Sequence, residues 1–346
     1  MKNKNTSNSG QMGQLAVAIL AGGSGTRLWP LSTPAHPKPF VALGPVGTLY
    51  EEAVTRAVRL GAAATLTIGP PQYRKLAAGK GRSYLEEPAP RNTAPAVALG
   101  AAWASRKFGG DADLLVLPSD HHIRRPDVWA RAVARLAGVC RKTGSLGVMG
   151  ITPTGPETAY GYILAGEPAG RGFRVGRFVE KPDRRKASRL LAGGNATWNS
   201  GMFLFPLGVL REEMGRHCPG LWEAAEAWLD GDPGPYTSWP KISVDYALME
   251  KSARVAMVPG DFGWSDVGTF PALHALLPKD EAGNAGWGPG LAEGCERSLI
   301  VTARAGTLVR GLRDHVHVEG PGGILSVPMA AAGDIREGVE AILRRG

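Results

Sequence analysis

Apolar residues fall into two patterns over most of the chain. Short runs such as Leu15–Leu20, Leu66–Ile68 and Leu114–Leu117 have the length of buried strands. Longer stretches, such as residues 92–108 and 126–141, place apolar residues near helical spacing. Regular alternation of such strands and helices predicts an α/β fold, a doubly wound and mostly parallel sheet with helices on both faces.

The pattern changes after Tyr160. Residues 160–165, 173–180 and 198–205 look like strands with few helices between them, so we expect antiparallel strands added to the sheet. A broken helix over residues 209–229 and a short helix over 243–251 should follow.

A shift in composition near Pro278 predicts a second region. Residues 280–294 are rich in Gly and Ala and look like a linker. Short apolar runs between residues 298 and 327 predict a small β-module, and residues 334–344 a closing helix. We therefore predict a mobile tail over residues 1–14, a main domain over residues 15–278, and a linker with a β-rich domain over residues 279–346.

Composition changes the picture mainly through charge. The chain has 346 residues, 21% of them charged, and a formal net charge of +9. A basic balance suits anionic ligands, of which nucleic acid is one. The Lys and Arg residues are dispersed, however, and no zinc-finger or RNP-type motif is present. We therefore expect phosphorylated small molecules as partners and no nucleic acid.

The cysteines and the first residues of the chain bear on the cellular compartment of the protein. Cys140, Cys218 and Cys295 are far apart and form no C-x-x-C pair, which argues against a disulfide framework or a zinc site and favours a reducing cytoplasm. The polar start has no apolar core of a signal peptide, and no apolar run is long enough to cross a membrane. We expect a cytoplasmic protein with no membrane partner.

A glycine-rich turn directly after the first strand is the first candidate for chemistry. It contains Gly22, Gly23, Ser24, Gly25, Thr26 and Arg27. Such a loop can cradle phosphate oxygens with backbone N–H groups, although a purely structural turn is the alternative. The P-loop pattern is absent, and the dinucleotide pattern fails at Leu28. Because Arg27 and then Lys38 add positive charge, the loop suggests a triphosphate site.

Two carboxylates follow predicted strands at distant points of the chain. Asp120 comes just after Leu114–Leu117, and Asp266 follows a predicted strand over residues 262–264. Ligands of open α/β sheets bind at the ends of strands, so both could converge on one metal ion. Hard oxygen ligands favour Mg²⁺ over zinc, whereas the alternative for Asp120 is a turn or helix-cap residue. For the adjacent His121 and His122 we expect hydrogen bonds within the loop.

These motifs resemble a known family. GGSGTRLWPLS followed by PKPF resembles the signature of the nucleotide-sugar pyrophosphorylases, and its Trp-Pro-Leu-Ser form resembles the mannose-1-phosphate guanylyltransferases. That family usually has Pro-Lys-Gln-Phe, so Pro39 departs from the pattern while Lys38 is kept. The resemblance implies a Rossmann-like nucleotidyltransferase fold with a partial left-handed β-helical tail. It also implies Mg²⁺ held by Asp120 in PSDH and Asp266 in WSDVG, and a short form without an isomerase domain.

The resemblance also assigns residues to the substrates. In EPAPRNTAPA, Glu87, Asn92 and Thr93 would bind the nucleotide and Glu87 would favour guanine, although Asn92 or Thr93 could simply cap a helix. In FVEKP, Glu180 would contact sugar hydroxyls and Lys181 the sugar phosphate; alternatively, both are solvated charges that point to opposite faces of a strand. Further sugar contacts are implied for Gly161, Asn199 and Asp245, the last of which could equally begin a helix.

The implied function is transfer of GMP from GTP to α-D-mannose 1-phosphate, which gives GDP-mannose and pyrophosphate with the assistance of Mg²⁺. Arg27, Lys38, Asp120, Lys181 and Asp266 would be the catalytic residues. Two alternatives remain open: the same chemistry on another hexose 1-phosphate or nucleotide, and a non-catalytic nucleotide-sugar sensor. The β-rich tail is a candidate surface for a homodimer.

Overall fold

The computed structural model describes residues 14–344, except positions 24, 80, 81, 233 and 235 and the side chain of Thr26. The predicted tail over residues 1–14 lies outside the described residues apart from Gln14. The described residues form two compact units. The sheet unit comprises those within Met1–Leu20, Arg56–Pro118 and Arg124–Phe262, and the loop unit comprises those within Ala21–Thr55, Ser119–Ile123 and Gly263–Gly346.

The secondary structure largely follows the predicted order. The strands are β1 Leu15–Leu20, β2 Ala64–Gly69, β3 Ser83–Glu86, β4 Asp113–Pro118, β5 His122–Ile123, β6 Leu146–Ile151, β7 Tyr162–Ala169, β8 Gly172–Val179, β9 Ala196–Pro206, β10 Val255–Gly260, β11 Trp264–Ser265, β12 Ala285–Trp287, β13 Leu291–Glu293, β14 Leu299–Val301, β15 Leu308–Arg310, β16 His315–Gly320 and β17 Gly323–Pro328. The helices are α1 Leu49–Arg59, α2 Thr93–Phe108, α3 Pro126–Thr143, α4 Arg184–Ala192, α5 Leu207–His217, α6 Leu221–Leu229, α7 Phe270–Leu276 and α8 Arg336–Leu343.

A mixed sheet forms the centre of the sheet unit. Its strand order among the described residues is β3-β2-β1-β4-β9-β6-β10-β8-β7. The pairs β1–β2, β1–β4, β2–β3 and β6–β10 are parallel, whereas β9 runs antiparallel to β4, β6 and β7. The prediction of a mostly parallel sheet is therefore wrong, and the prediction of antiparallel additions after Tyr160 is confirmed. The reason is local: β7 and β8 are joined by a two-residue connection, which only antiparallel strands allow.

Close packing in the sheet unit explains its alanine-rich helix. Helix α2 lies against β1, β2 and β4, and all six of its alanines are buried. A Cβ placed on Gly100 would lie 3.1 Å from Ala18 Cβ, so small side chains let the helix approach the strands. Helix α3 packs in the same way against β6, β9 and β10.

Short parallel strands stack in the C-terminal part of the loop unit. Strand β14 pairs in parallel with β12 and β16, and β13 pairs in parallel with β15. Residues 280–294 therefore contain two strands, and their prediction as a linker is wrong. A side chain on Gly286 would collide with the backbone of Ile300, so the glycine that suggested a linker is required by close strand stacking. The handedness of this coil stays a prediction.

Two helices were missed although each begins at a recognisable cap. Asp183 Oδ1 accepts a hydrogen bond from Lys186 N at 2.7 Å at the start of α4, and Thr269 Oγ1 accepts one from Ala272 N at 3.3 Å at the start of α7. The helix predicted over residues 243–251 is a π-helical turn over Asp245–Met249. No helix within the described residues is both long enough and apolar enough to span a membrane.

Candidate active site

The glycine-rich turn of the loop unit opens onto unfilled space. A Cβ placed on Gly22 or Gly23 would meet no atom within 4 Å, and φ of Gly23 is +89°. Positive φ explains the glycine at position 23, whereas no contact among the described residues requires one at position 22. Ser24 lies outside the described residues; Thr26 begins a 3₁₀ helix, Thr26–Leu28, on which Arg27 is exposed. The backbone here is accessible to an anionic ligand.

Lys38 is held rigidly at its backbone and lies behind this turn. It begins a 3₁₀ helix, Lys38–Phe40, where Pro39 occupies an early position that needs no N–H donor. The departure from the family pattern at Pro39 is thus compatible with the local structure. On the other side, a Cβ on Gly25 would collide with that of Lys38, so this glycine allows the turn to pack against the lysine.

The ammonium of Lys38 contacts two of the other predicted catalytic residues. Lys38 Nζ donates to Asp120 Oδ2 at 2.8 Å and to the backbone oxygen of Asp266 at 2.5 Å. Asp120 follows β4 and Asp266 follows β11, as predicted from their positions after strands. The Lys38 side chain is only 8% exposed, compared with 32% for Asp120. The Lys38 ammonium is therefore bonded to one carboxylate and one backbone oxygen, while its Cβ packs against Gly25 of the glycine turn.

Charge around Asp120 favours its ionised form. Burial alone would raise the pKa of Asp120, but the Lys38 ammonium and the neighbouring His121 hold it below its ordinary value. No group of three or more His, Cys, Asp or Glu side chains that could hold a metal ion occurs in the described part of the chain. Asp266 joins the Lys38 network through its backbone oxygen, while its Oδ1 accepts a hydrogen bond from Gly268 N at 3.1 Å. The ionised carboxylate of Asp120 fits Mg²⁺, which is commonly held by one or two carboxylates together with substrate phosphates.

The two histidines after Asp120 form hydrogen bonds, but their partners lie on β11 and α1 and not within the loop, as had been predicted. Trp264 Nε1 donates to His121 Nδ1 at 3.2 Å, and His122 Nδ1 lies 3.0 Å from Glu52 Oε1. These contacts accompany the antiparallel pairing of β5 with β11. The His121 imidazole therefore links the segments that carry Asp120 and Asp266, whereas the His122 imidazole links the Asp120 segment to α1.

The four predicted sugar-binding residues meet within the sheet unit. Asn199 Nδ2 donates to Asp245 Oδ1 at 2.7 Å, and Asn199 N donates to the carbonyl oxygen of Gly161 at 2.8 Å. A Cβ on Gly161 would collide with the Glu180 carboxylate, so only glycine leaves that side chain in its place. Four segments far apart in sequence thus converge on one polar cluster.

Glu180 and Lys181 do not point to opposite faces of a strand, so that part of the prediction is wrong. Strand β8 ends at Val179, and Lys181 has a left-handed φ of +40°. The strand alternation therefore no longer applies, and Lys181 Nζ lies 2.8 Å from Glu180 Oε1. The Lys181 side chain is 63% exposed, which leaves its ammonium accessible to an anion.

Several acidic side chains lie close together in and beside this polar cluster. Burial raises the pKa of Asp245, the Asn199 hydrogen bond opposes that shift, and the Glu180 charge adds to it. The pKa of Glu250 is also raised, by burial and by the charges of Asp245 and Glu180. Glu250 was missed, although it lies in the same SVDYALME segment as Asp245.

The residues predicted to bind the nucleobase have structural roles as well. Asn92, with φ of +66°, is the N-cap of α2, which confirms the helix-cap alternative for this residue. Thr93 Oγ1 accepts a hydrogen bond from Val244 N at 2.9 Å. Glu87 Oε1 accepts one from Tyr236 Oη at 2.8 Å, and burial raises the Glu87 pKa despite that bond. The contact of Tyr236 with Glu87 could not be predicted from the sequence, because the two residues are 149 positions apart.

Comparisons with known proteins agree on one family. Residues 16–283 match the family model described as nucleotidyl transferase. The xanthan biosynthesis protein XanB of Xanthomonas campestris pv. campestris is 38% identical over 97% of this chain and 74% of its own length. The mannose-1-phosphate guanylyltransferase of Klebsiella pneumoniae is 36% identical over 94% of this chain and 73% of its own length. A crystal structure of mannose-1-phosphate geranyltransferase from Thermus thermophilus is 34% identical and superposes with a TM-score of 0.85 over 96% of this chain and 99% of that one.

Proposed function

The chain belongs to the nucleotidyl transferase family, among the mannose-1-phosphate guanylyltransferases, and from that premise we propose that it transfers GMP from GTP to α-D-mannose 1-phosphate. It is a nucleotidyltransferase enzyme of the nucleotide-sugar pyrophosphorylase type. The observation that carries the specific proposal is the polar cluster of Gly161, Glu180, Asn199 and Asp245. Its groups suit the hydroxyls of a hexose, and exposed Lys181 suits the phosphate attached to it.

Binding of the triphosphate is assigned to the glycine-rich turn. Gly22, Gly23 and Gly25, together with Ser24 and Thr26, would supply backbone N–H donors. The open space beside Gly22 and Gly23 supports this assignment. Exposed Arg27 would offset charge that develops on the leaving pyrophosphate.

The transfer step requires positioning more than proton chemistry. An oxygen of the sugar phosphate attacks the α-phosphorus of GTP in line, a P–O bond forms, and the bond to pyrophosphate breaks. The attacking oxygen is already ionised, so no general base is needed and no covalent enzyme intermediate forms. Lys181 would hold the attacking phosphate, while Glu180, Asn199, Gly161 and Asp245 orient the sugar.

Asp120 and Asp266 would hold Mg²⁺, which, when bound, neutralises charge on the phosphates. The low pKa of Asp120 supports this assignment, because an ionised carboxylate is what the cation needs. Lys38 would add positive charge for the phosphates once it is released from these residues.

Selection of guanine is assigned to Glu87, with Asn92 and Thr93 nearby in sequence. A carboxylate that accepts from the ring N–H and the exocyclic amino group would favour guanine over adenine. The hydrogen bond from Tyr236 supports this role, because it orients the Glu87 side chain.

We extend the proposal to the organisation of the chain. The parallel register of β12 with β14 and of β14 with β16 supports a partial left-handed β-helix within residues 279–346, after a catalytic domain over residues 15–278. A homodimer through this β-rich part and a cytoplasmic location stay predictions.

The test is pyrophosphate release from the purified protein with Mg²⁺, with four nucleoside triphosphates crossed against mannose, glucose and N-acetylglucosamine 1-phosphates. We expect a strong signal only for GTP with mannose 1-phosphate. A signal with another pair would keep the mechanism and overturn the base or sugar assignment. Nucleotide binding without a signal from any pair would favour the sensor alternative.

A further inference from the structure

The ammonium of Lys38 already occupies the charge environment that the proposed metal ion would need. Its Nζ lies 2.8 Å from Asp120 Oδ2 and 2.5 Å from the backbone oxygen of Asp266. Both partners are hard oxygen atoms, and one belongs to the carboxylate of Asp120. The charge on Asp120 is therefore balanced by the protein itself.

We propose that Lys38 is an internal counter-ion that must leave Asp120 before a divalent cation can bind there. This inference rests on the proposed function, because it takes Asp120 and Asp266 as the metal-binding residues. It implies that free metal ions bind weakly to the substrate-free protein. Metal and triphosphate should therefore bind together, since the phosphates supply the negative charge that receives the released ammonium.

Electrostatics makes the two cations competitors. An ammonium and a divalent ion close to the same carboxylate repel each other strongly wherever water is largely excluded. The Lys38 side chain is 8% exposed, so solvent screens that repulsion poorly. Metal binding beside an unmoved Lys38 would therefore lose much of the attraction that Asp120 supplies.

The local structure allows the side chain to move while the backbone stays fixed. Lys38 starts a 3₁₀ helix with an N-cap at Pro37 and with Pro39 next in sequence, and the Gly25 backbone packs against the Lys38 Cβ. These contacts restrain the backbone and the Cβ. The flexible four-carbon stem beyond them can still carry the ammonium from Asp120 to a new partner.

The direct test measures Mn²⁺ binding, without nucleotide or sugar, to the wild type and to Lys38→Met by electron paramagnetic resonance. We expect Lys38→Met to bind Mn²⁺ about tenfold more tightly or better, because the ammonium that competes for Asp120 is then absent. The matched control is Lys279→Met, which removes the same charge from the loop unit but from an ammonium that donates to the backbone oxygens of His274 and Leu277. Equal or weaker binding by Lys38→Met would overturn the proposal.

A second measurement needs no variant and so does not depend on the folding of Lys38→Met. Acetic anhydride labelling of the wild type, read by peptide mass spectrometry, should modify Lys38 slowly without metal and at least several-fold faster at saturating Mn²⁺. Lys279 serves as the internal reference. Unchanged labelling of Lys38 at saturating Mn²⁺ would contradict its displacement.

These experiments separate the inference from the proposed function. Neither uses a nucleotide or a sugar phosphate, so a different substrate pair in the activity panel would leave their outcome unaffected. Conversely, the wild type could show GTP-dependent activity while Lys38→Met binds Mn²⁺ no more tightly than the wild type. That result would overturn the counter-ion role alone and leave the proposed function in place.

Discussion

Asp120 in the loop unit and Asp245 in the sheet unit are partly buried aspartates whose pKa values are shifted in opposite directions. Asp120 has an ammonium partner, Lys38, and its pKa lies below the ordinary value. Asp245 has an amide partner, Asn199, and burial keeps its pKa above the ordinary value. The loss of hydration on burial is thus offset by a charged partner at Asp120 and by a neutral hydrogen-bond donor at Asp245.

The opposite pKa shifts indicate that the two carboxylates have different roles. A carboxylate balanced by an ammonium remains charged and can exchange that ammonium for another cation. Ionising a buried carboxylate whose partner is a neutral amide costs free energy. Such a group contributes by holding hydrogen-bond acceptors in a fixed arrangement. Substitutions around Asp120 should therefore affect kcat, and those around Asp245 should affect sugar-phosphate affinity and stability.

The largest effect is expected for Asp120→Asn. Loss of this charge weakens the site proposed to hold Mg²⁺, and with it the stabilisation of the phosphates in the transition state, so kcat should fall on the order of a thousandfold. The KM for mannose 1-phosphate should change little, because the predicted sugar-binding residues are untouched. Steady-state pyrophosphate release measures both quantities.

The control for that prediction is Asp314→Asn. Asp314 is also an aspartate of the loop unit, paired with Arg297 at 2.6 Å, but its side chain is 59% exposed. Such a surface pair contributes little, so kcat should stay near that of the wild type. Near-normal turnover in Asp120→Asn itself would show that the metal assignment is wrong.

A smaller and different effect is expected for Lys181→Ala. The exposed ammonium would lose a charge-assisted hydrogen bond to the sugar phosphate, worth about 1.5–3 kcal/mol, so KM for the sugar phosphate should rise about tenfold to a hundredfold. The change in kcat should be smaller. Lys241→Ala is the control, because Lys241 is exposed in the same unit and forms no ion pair among the described residues. Unchanged KM and kcat would remove the role of Lys181.

Sequence reasoning succeeded where the signal is local. Leu15–Leu20 was predicted as a strand at its observed bounds, because six apolar residues precede glycines. The four sugar-binding residues were chosen from motif resemblance, and the structure brings them together. Their substrate roles stay predictions.

Sequence reasoning failed where non-local contacts decide the outcome. Gly286 appeared to mark a linker, because glycine usually marks flexible chain, but stacking on Ile300 requires it. Lys38 was predicted as part of a triphosphate site, which stays a prediction, but nothing in PKPF reveals that its ammonium is bonded to Asp120, 82 residues away. The opposite pKa shifts of Asp120 and Asp245 could not be predicted either, because both depend on tertiary neighbours.

The smallest expected effect, Asp245→Asn, tests the comparison through stability. An acid whose pKa is raised by folding binds its proton more readily in the native state than in the unfolded state. Stability therefore falls as the pH rises from about 4 through the native pKa, and the loss is complete above it. The charged groups that act on Asp245 are Glu180, which adds to the shift, and Lys181, which opposes it.

Replacing the Asp245 carboxylate with an amide of the same shape keeps an oxygen to accept from Asn199 and removes the buried charge. We expect Asp245→Asn to gain about 1 kcal/mol in the free energy of unfolding at pH 7, and a flatter pH dependence, while it binds mannose 1-phosphate more weakly. Denaturant unfolding between pH 4 and 8 measures the first two quantities, with Asp230→Asn as the exposed control. A loss of stability at pH 7 would show that the charge of Asp245 is compensated as fully as that of Asp120, and the contrast between the two carboxylates would fail.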